Sequence, residues 1–409
     1  MQRHKPDFIL LIIILSLVAF GLVMVYSASM VWAIKVNGTS PSYFFEHQLL
    51  TAIAGVLMMT ILMNVPYTFW MKHARGISIL TLLGVFCVLI PGIGHKAQGV
   101  RRWIGPVSLH MQPSEIALVG IVIYLAYIYS KNRQKVQSFS RGVIPPLVMV
   151  GAQFVFIILE PDMGTAVLFL ATSLTVMFAA GIRKRHVVML SFIMAPILAA
   201  FIWFEHYRNI RLLVFLHPWD PAYTNDGGYQ LQQSLIAIFH GGLFGSGLGQ
   251  GVEPFLYLPI PYADFIFSII VEELGLLGAL VLFAFYSVLI WRGIRIAQKL
   301  ENRFASLLAI GISSMVGFGV LINVGAVTGL LPVTGIPLPF ISYGGTALFV
   351  KLCAMGILLS LSRYTLSEHT AYLHTSANNK VRQLPLTSQR VASAERRNNH
   401  GKSTHTFRR

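Results

Sequence analysis

Asp264 is the residue in this sequence best placed to do chemistry. It closes the stretch Leu256-Tyr257-Leu258-Pro259-Ile260-Pro261-Tyr262-Ala263-Asp264-Phe265-Ile266-Phe267, where two prolines and several aromatics deliver a carboxylate to the mouth of a long apolar run. An Asp there has two compatible uses. It caps the helix that follows, satisfying free N–H groups and favouring the dipole. It also serves as a general base held at a membrane surface. Glu272 and Glu273 lie one to two turns further along the same run. Carboxylates inside apolar segments face a bundle interior or a wet cavity, where they either cross-link a neighbouring segment or line a functional path. Successive helical residues point about 100° apart, so one cavity need not hold both. Glu115, in Gln112-Pro113-Ser114-Glu115, suits the first turn of a helix, where Pro, Ser and Glu are all at home. Lys351 lies in the middle of another apolar run and requires a carboxylate or a water-filled cavity. Glu115, Glu272 and Glu273 are its candidate partners.

Two basic sites have aromatic neighbours: Arg101-Arg102-Trp103 and Tyr207-Arg208-Asn209-Ile210-Arg211. Trp, Tyr and Arg anchor proteins at membrane interfaces. Arg also grips phosphate bidentately, so Arg102, Arg208 and Arg211, with Trp103 beside the first, are candidates for capturing an anionic headgroup. Gly241-Gly242, Gly245, Gly247, Gly249 and Gly251 form a glycine-rich stretch. No Lys-Ser/Thr follows it and no strand–loop–helix context surrounds it, which excludes a phosphate-binding loop of the nucleotide type. Tight turns and close packing at the membrane surface are the expectation there.

The elements that carry these residues follow from composition. Of 409 residues, 55% are hydrophobic and 11% charged, against about 25% charged in an ordinary soluble domain. This excludes a disordered chain and describes an all-α integral membrane protein. A spanning helix takes roughly 20 apolar residues. Ten candidates appear, at about 8–30, 47–65, 76–94, 112–130, 143–159, 163–181, 187–204, 265–291, 304–331 and 344–362. The fifth and sixth are separated only by Glu160-Pro161-Asp162, a tight polar hairpin, since proline cannot continue a helix. With the N-terminus placed in the cytoplasm, 24 of the 31 Lys and Arg residues fall on the cytoplasmic side, six on the outer side, and Lys351 within a span. That bias sets the orientation and puts both termini in the cytoplasm.

The outer side then holds the unusual features. The loop at 95–111 is basic, against the rule, and the loop at 205–264 is large and precedes the eighth span. Glu160, Asp162, Glu205, Asp220, Asp226, Glu253 and Asp264 all fall on this face, so the chemistry is expected there. Residues 365–409 are polar and basic without apolar periodicity, and read as a disordered cytoplasmic tail behind a membrane domain at 1–364. The net charge of +16 lies in short clusters between apolar runs and not on one patch, so nucleic acid is not an expected partner. Cys87 and Cys353 sit in apolar runs and supply neither a disulfide framework nor a metal spacing.

Several strings occur in a diagnostic order: Arg102-Trp103-Ile104, Gln112-Pro113-Ser114-Glu115, Pro161-Asp162-Met163-Gly164-Thr165, Pro218-Trp219-Asp220-Pro221 and Gly228-Tyr229-Gln230. Asp264-Phe265-Ile266-Phe267, Glu272-Glu273-Leu274-Gly275, Asn323-Val324-Gly325 and Pro337-Leu338-Pro339-Phe340-Ile341-Ser342-Tyr343-Gly344-Gly345 follow. Across about 7–364 the chain resembles the SEDS family (shape, elongation, division, sporulation). Thr328-Gly329-Leu330-Leu331-Pro332-Val333-Thr334-Gly335 is closer to the division branch than to the elongation branch.

The resemblance implies a ten-span peptidoglycan glycosyltransferase of the bacterial cytoplasmic membrane, working at the septum. It implies lipid II (an undecaprenyl-pyrophosphate disaccharide-peptide) as substrate, and a class B penicillin-binding protein and other divisome membrane proteins as partners. Asp264 matches the family's essential loop aspartate. A divalent cation, Mg or Mn, is compatible through the substrate's pyrophosphate, without dedicated protein ligands. Two departures stand out. Leu118 occupies the family's lysine position in Gln-Pro-x-Glu-x-x-Lys, with Lys351 as the candidate replacement, and Ile260 follows Pro259 where the family often has Glu. Two other functions fit the same composition: a lipid II flippase and a non-catalytic division scaffold.

Overall fold

A computed structural model of the protein describes residues 4–97, 100–105, 110–131, 136–204, 206–222, 228–252 and 258–365. The expected tail at 365–409, Glu205, Asp226 and Glu253 lie outside the described residues, save Thr365 itself. The chain is nearly all helical. In order it forms α1 (Phe8–Lys35), α2 (Tyr43–Leu62), α3 (Tyr67–Leu89), the hairpin β1 (Gly94–Ala97) and β2 (Val100–Ile104), and α4 (Pro113–Lys131). A π-helical turn at Phe139–Val143 leads into α5 (Ile144–Leu159). Then come α6 (Met163–Ala179), α7 (Lys184–Phe204), α8 (His206–Leu216), α9 (Gly228–Gly241), α10 (Ile266–Lys299), α11 (Arg303–Val327) and α12 (Gly345–Ser362).

Helix is the conformation that lets an apolar run satisfy every backbone group within itself, as hydrocarbon requires. Among the described residues, eight helices (the π turn and α5 taken together) are long and apolar enough to cross a membrane, and α6 is a shorter apolar one. With α7, a 21-residue helix carrying Pro196, these coincide with the ten expected spans. The chain is therefore a multi-pass membrane protein. Boundaries moved where local chemistry overrode hydropathy. The third span starts at Tyr67, directly after Pro66, and ends at Leu89 rather than 94, because Gly94 begins a strand. The large loop contains α8 and α9, and the basic loop contains an antiparallel hairpin pairing His95 with Trp103.

Polar residues fix the helix ends. Asp7 caps α1, accepting from Leu10 N at 3.1 Å, and also pairs with Arg292 of α10 at 2.9 Å. Asn302 caps α11, and Asp162 caps α6 by accepting from Thr165 N at 3.1 Å. The centre of the bundle is formed by α4, α11 and α12, whose apolar windows are 72%, 67% and 78% buried, against 22% for α2. Close approach needs glycine at one point in particular: a Cβ on Gly356 of α12 would lie 2.6 Å from the Met59 carbonyl oxygen of α2.

Candidate functional site

Four pieces of chain, the Asp264 turn among them, meet on a fifth. The segment 333–336, between α11 and α12, is what they share. Asn323 on α11 donates through Nδ2 to the carbonyls of Asp264 and Ile336, each at 2.7 Å, which locks the Asp264 backbone to this segment. Gly335 has φ +75°, and a Cβ there would stand 3.5 Å from Asp264 Oδ2, so the segment lies directly beside the carboxylate. Arg211 of α8 donates through Nη1 to the Val333 carbonyl at 2.9 Å. Gly164, in the first turn of α6, packs against Thr334 so closely that a Cβ would lie 2.7 Å from its carbonyl oxygen.

The turn between α5 and α6 forms another wall. Arg102 of β2 donates through Nε to the Glu160 carbonyl at 3.3 Å and through its guanidinium to the Pro161 carbonyl. Gln112 donates through Nε2 to Asp162 Oδ2 at 2.7 Å. Tyr262 anchors the approach to Asp264: its ring centroid is 4.2 Å from that of Phe44, and its carbonyl accepts from Tyr343 N at 2.9 Å.

Asp264 does not cap α10. The N-cap position is Phe265 and no side chain makes the cap bond. The carboxylate is thus not committed to the helix end, and it keeps partial exposure although it lies deep among these loops. Burial pushes its carboxyl above the ordinary aspartate range; the charges of Arg211 and then Arg102 oppose this, and Asp162 adds to it. Glu160 is sealed from solvent, and burial together with the Asp162 charge pushes its carboxyl up to about 9, against a smaller opposing effect of Arg102. The site therefore holds a carboxylate of raised basicity that feels the charges of Arg211 and Arg102. It can accept a proton and neutralise an anionic group at one place.

The other singled-out residues sort clearly. Lys351 pairs with Glu115, its Nζ 3.1 Å from Oε2 and 3.3 Å from Oε1, in the bundle core. Leu118, one turn from Glu115 on the same helix, is fully buried. Glu272 and Glu273 are not partners of Lys351. Glu272 Oε1 accepts from Val252 N at 2.6 Å, and Glu273 Oε1 accepts from Ser27 Oγ of α1 at 2.6 Å. Both serve as cross-links, facing different neighbours as adjacent helical positions should. Trp103 stands on β2 opposite His95. Arg208 belongs to α8, and its side chain lies outside the described residues. Gln112, Asp162, Asn323 and Gly335 were not expected as site residues. The sequence places Asp162 in a hairpin on the outer face, and its position after proline and before an apolar run also marks the helix cap that the structure shows.

Fold and site together define a polytopic membrane protein whose connecting loops gather around Asp264, under the charges of Arg211 and Arg102. The family model described as "Cell cycle protein", covering FtsW, RodA and SpoVE, matches residues 8–367. The chain is 42% identical over 364 residues to stage V sporulation protein E of Bacillus subtilis (strain 168), covering 89% of this chain and 99% of that one. It is 39% identical over 362 residues to the probable peptidoglycan glycosyltransferase FtsW of Geobacter sulfurreducens, covering 88% and 96%. A solved structure described as "Structural coordination of polymerization and crosslinking by a peptidoglycan synthase complex" contains a chain of the same fold, with TM-score 0.73, 25% identity, and 88% and 98% coverage. The rod shape determining protein RodA of Thermus thermophilus shares the fold with TM-score 0.66 at 24% identity, covering 89% and 98%. This chain belongs to the FtsW/RodA/SpoVE family, the SEDS proteins.

Proposed function

We propose that this protein is a peptidoglycan glycosyltransferase that polymerises lipid II by a single inverting displacement, with Asp264 as general base. The acceptor sugar's 4-hydroxyl oxygen attacks the anomeric carbon of the donor. The bond from that carbon to the pyrophosphate oxygen breaks, and its electron pair leaves with undecaprenyl pyrophosphate. Asp264 takes the hydroxyl proton as the new glycosidic bond forms. One displacement exchanges an α-linked pyrophosphate for a β-glycoside, so no covalent intermediate is needed. Arg102 and Arg211 stabilise the charge that develops on the leaving group. Headgroup capture by Arg208 and Trp103 is part of the same proposal, and a divalent cation carried on the substrate's pyrophosphate would supply further positive charge there.

The observation that carries this reading is that the segment 333–336 lies beside the Asp264 carboxylate and also receives Arg211, while Arg102 is fixed on the α5–α6 turn whose helix α6 packs on the same segment. Names carried by relatives, with peptidoglycan glycosyltransferase among them, support the same chemistry. The match to a peptidoglycan synthase complex supports a class B penicillin-binding protein as working partner. On this reading the Asp264 face is extracytoplasmic, both termini are cytoplasmic, and the protein acts at a bacterial septum.

The test uses purified protein with its cognate penicillin-binding partner on fluorescent lipid II. Wild type is expected to make long glycan strands and Asp264→Asn none, with the complex still assembled. Equal polymer from both would remove Asp264 from the mechanism. No polymer from either, with lipid II moving across vesicles, would replace the polymerase with a transporter.

A further inference from the structure

The glycine-rich stretch has no part in the site around Asp264, yet it makes an unusual contact. α10 is interrupted at Gly275, whose φ of 69° and ψ of −173° are not helical. The broken turn is tied off by the stretch after α9. Ser246 N and Gly247 N donate to the carbonyls of Glu272 and Glu273, each at 2.9 Å. Leu276 N and Leu277 N donate to the carbonyls of Gly242 and Leu243, at 2.9 and 3.2 Å. Within the stretch, Gly245 N bonds to Gly241 O at 2.8 Å, and Val252 N bonds to Glu272 Oε1 at 2.6 Å. Gly242, Gly245, Gly247 and Gly249 all have positive φ, which lets the chain turn back this tightly. A loop in water has no need to satisfy its backbone so fully; non-helical backbone at membrane depth does.

The side chains point the same way. Phe239, Leu243, Phe244, Leu248 and Val252 are 83%, 60%, 78%, 56% and 52% exposed. No charged residue occurs in 241–252. The backbone bonds set this patch beside Leu276 and Leu277, which begin the exposed apolar stripe of α10 that continues through Leu280 and Val281. The patch thus extends a lipid-facing surface. Its depth agrees. Arg292, paired with Asp7 at the start of α1, marks the far boundary of the span. Gly275 is seventeen residues from it, or about 26 Å at 1.5 Å per residue, just inside a hydrocarbon core about 30 Å thick.

We propose that residues 239–252 form a re-entrant element that dips into the bilayer leaflet on the Asp264 side, with Phe244 and its apolar neighbours in contact with acyl chains. The occupant of this face is lipid, not a protein partner. The test places a nitroxide label on Phe244→Cys in a Cys87→Ala, Cys353→Ala background, with the full chain reconstituted alone in phosphatidylcholine–phosphatidylglycerol vesicles. Collision with oxygen is compared with collision with a water-soluble nickel chelate. Leu280→Cys on α10 is the lipid reference, and Asn37→Cys in the α1–α2 turn is the aqueous one. The expected result is an oxygen-to-nickel ratio at Phe244 close to the Leu280 value and several-fold above that at Asn37. Leu248→Cys should read the same, which guards against one variant failing to fold. A ratio matching Asn37 at both positions overturns the proposal. So does protection from both reagents, which would mean that a second copy of the chain covers the face.

Discussion

Lys351 and Glu115, 236 positions apart, meet in the core of the bundle with 3.1 Å between Nζ and Oε2, joining α12 to α4. Each is almost closed to solvent. We propose that Lys351 of α12 stands in for the lysine that the family resemblance implies at Leu118 of α4. Removing one partner of a buried pair strands the other charge, at a cost of about 3–5 kcal/mol. Lys351→Met should therefore destabilise the protein by that order and reduce polymerisation. Adding Leu118→Lys, one turn from Glu115, should recover much of both. Thermal unfolding in detergent and strand synthesis read the two effects, and full activity in the single variant would show that Lys351 does not stand in for the missing lysine.

The charges around Asp264 set the acid limb of the rate–pH profile. A base works only when deprotonated, so activity falls as pH drops through its pKa. Arg211 is the largest opposing charge to the upward shift, ahead of Arg102, while Asp162 adds to it. Arg211→Ala should move the acid limb to higher pH, Arg102→Ala should move it less far, and Asp162→Asn should move it to lower pH. Position of the limb, not height of the profile, is the quantity to compare, because both arginines also hold the leaving group in the proposed reaction. An unmoved limb in all three variants would show that another group titrates.

Glu160 makes stability depend on pH in the opposite sense to an ordinary salt-bridged carboxylate. Its folded value of about 9 lies well above the ordinary glutamate value of 4.5. The stability it contributes is complete below about pH 4.5, where both states are protonated, and is lost as pH rises toward 9, because the unfolded chain ionises first. Each pH unit in that interval costs about 1.4 kcal/mol. Glu160→Gln should raise the melting temperature at pH 8 more than at pH 5 and flatten the dependence between. Parallel curves for the two proteins would exclude an ionisation of this residue.

Gly335 permits the segment beside Asp264 to sit where it does. Its φ of +75° favours glycine, and a Cβ would stand 3.5 Å from the carboxylate oxygen. Gly335→Ala should cost about 1–2 kcal/mol of stability from the left-handed conformation. Gly335→Val, with branched bulk toward Asp264, should lower the turnover of lipid II well beyond what its stability loss explains. Turnover is measured at a temperature where both variants remain folded; equal activity in both would show that the space beside the carboxylate is not used.

Much of the architecture was legible because membrane spans announce themselves through length and apolarity alone. Pro161 even marked one boundary more sharply than hydropathy did, whereas the start at Tyr67, directly after Pro66, falls well before the expected 76. The setting of Asp264 among prolines and aromatics was legible as well; its role as base is proposed. What surrounds it in the fold was not legible, because the surroundings are made largely of backbone: the Val333, Ile336, Glu160 and Pro161 carbonyls carry no sequence signature. Asn323 looked like one polar residue near a helix end, and its bonds to two carbonyls depend on how α11 meets two loops. The interruption at Gly275 was equally hidden, since a lone glycine in a helical pattern is ordinary and the partner that completes it lies some thirty residues earlier.

The segment 333–336 acts as a common datum. Arg211 is referenced to Val333, the first turn of α6 to Thr334, Asp264 to Gly335, and Asn323 to Ile336. Any displacement of this strip is therefore shared by the groups that rest on it. The spacing between Asp264 and Arg211 is thereby kept when the strip moves as a unit, whereas Arg102, held on the Glu160 and Pro161 carbonyls, takes its position from the α5–α6 turn.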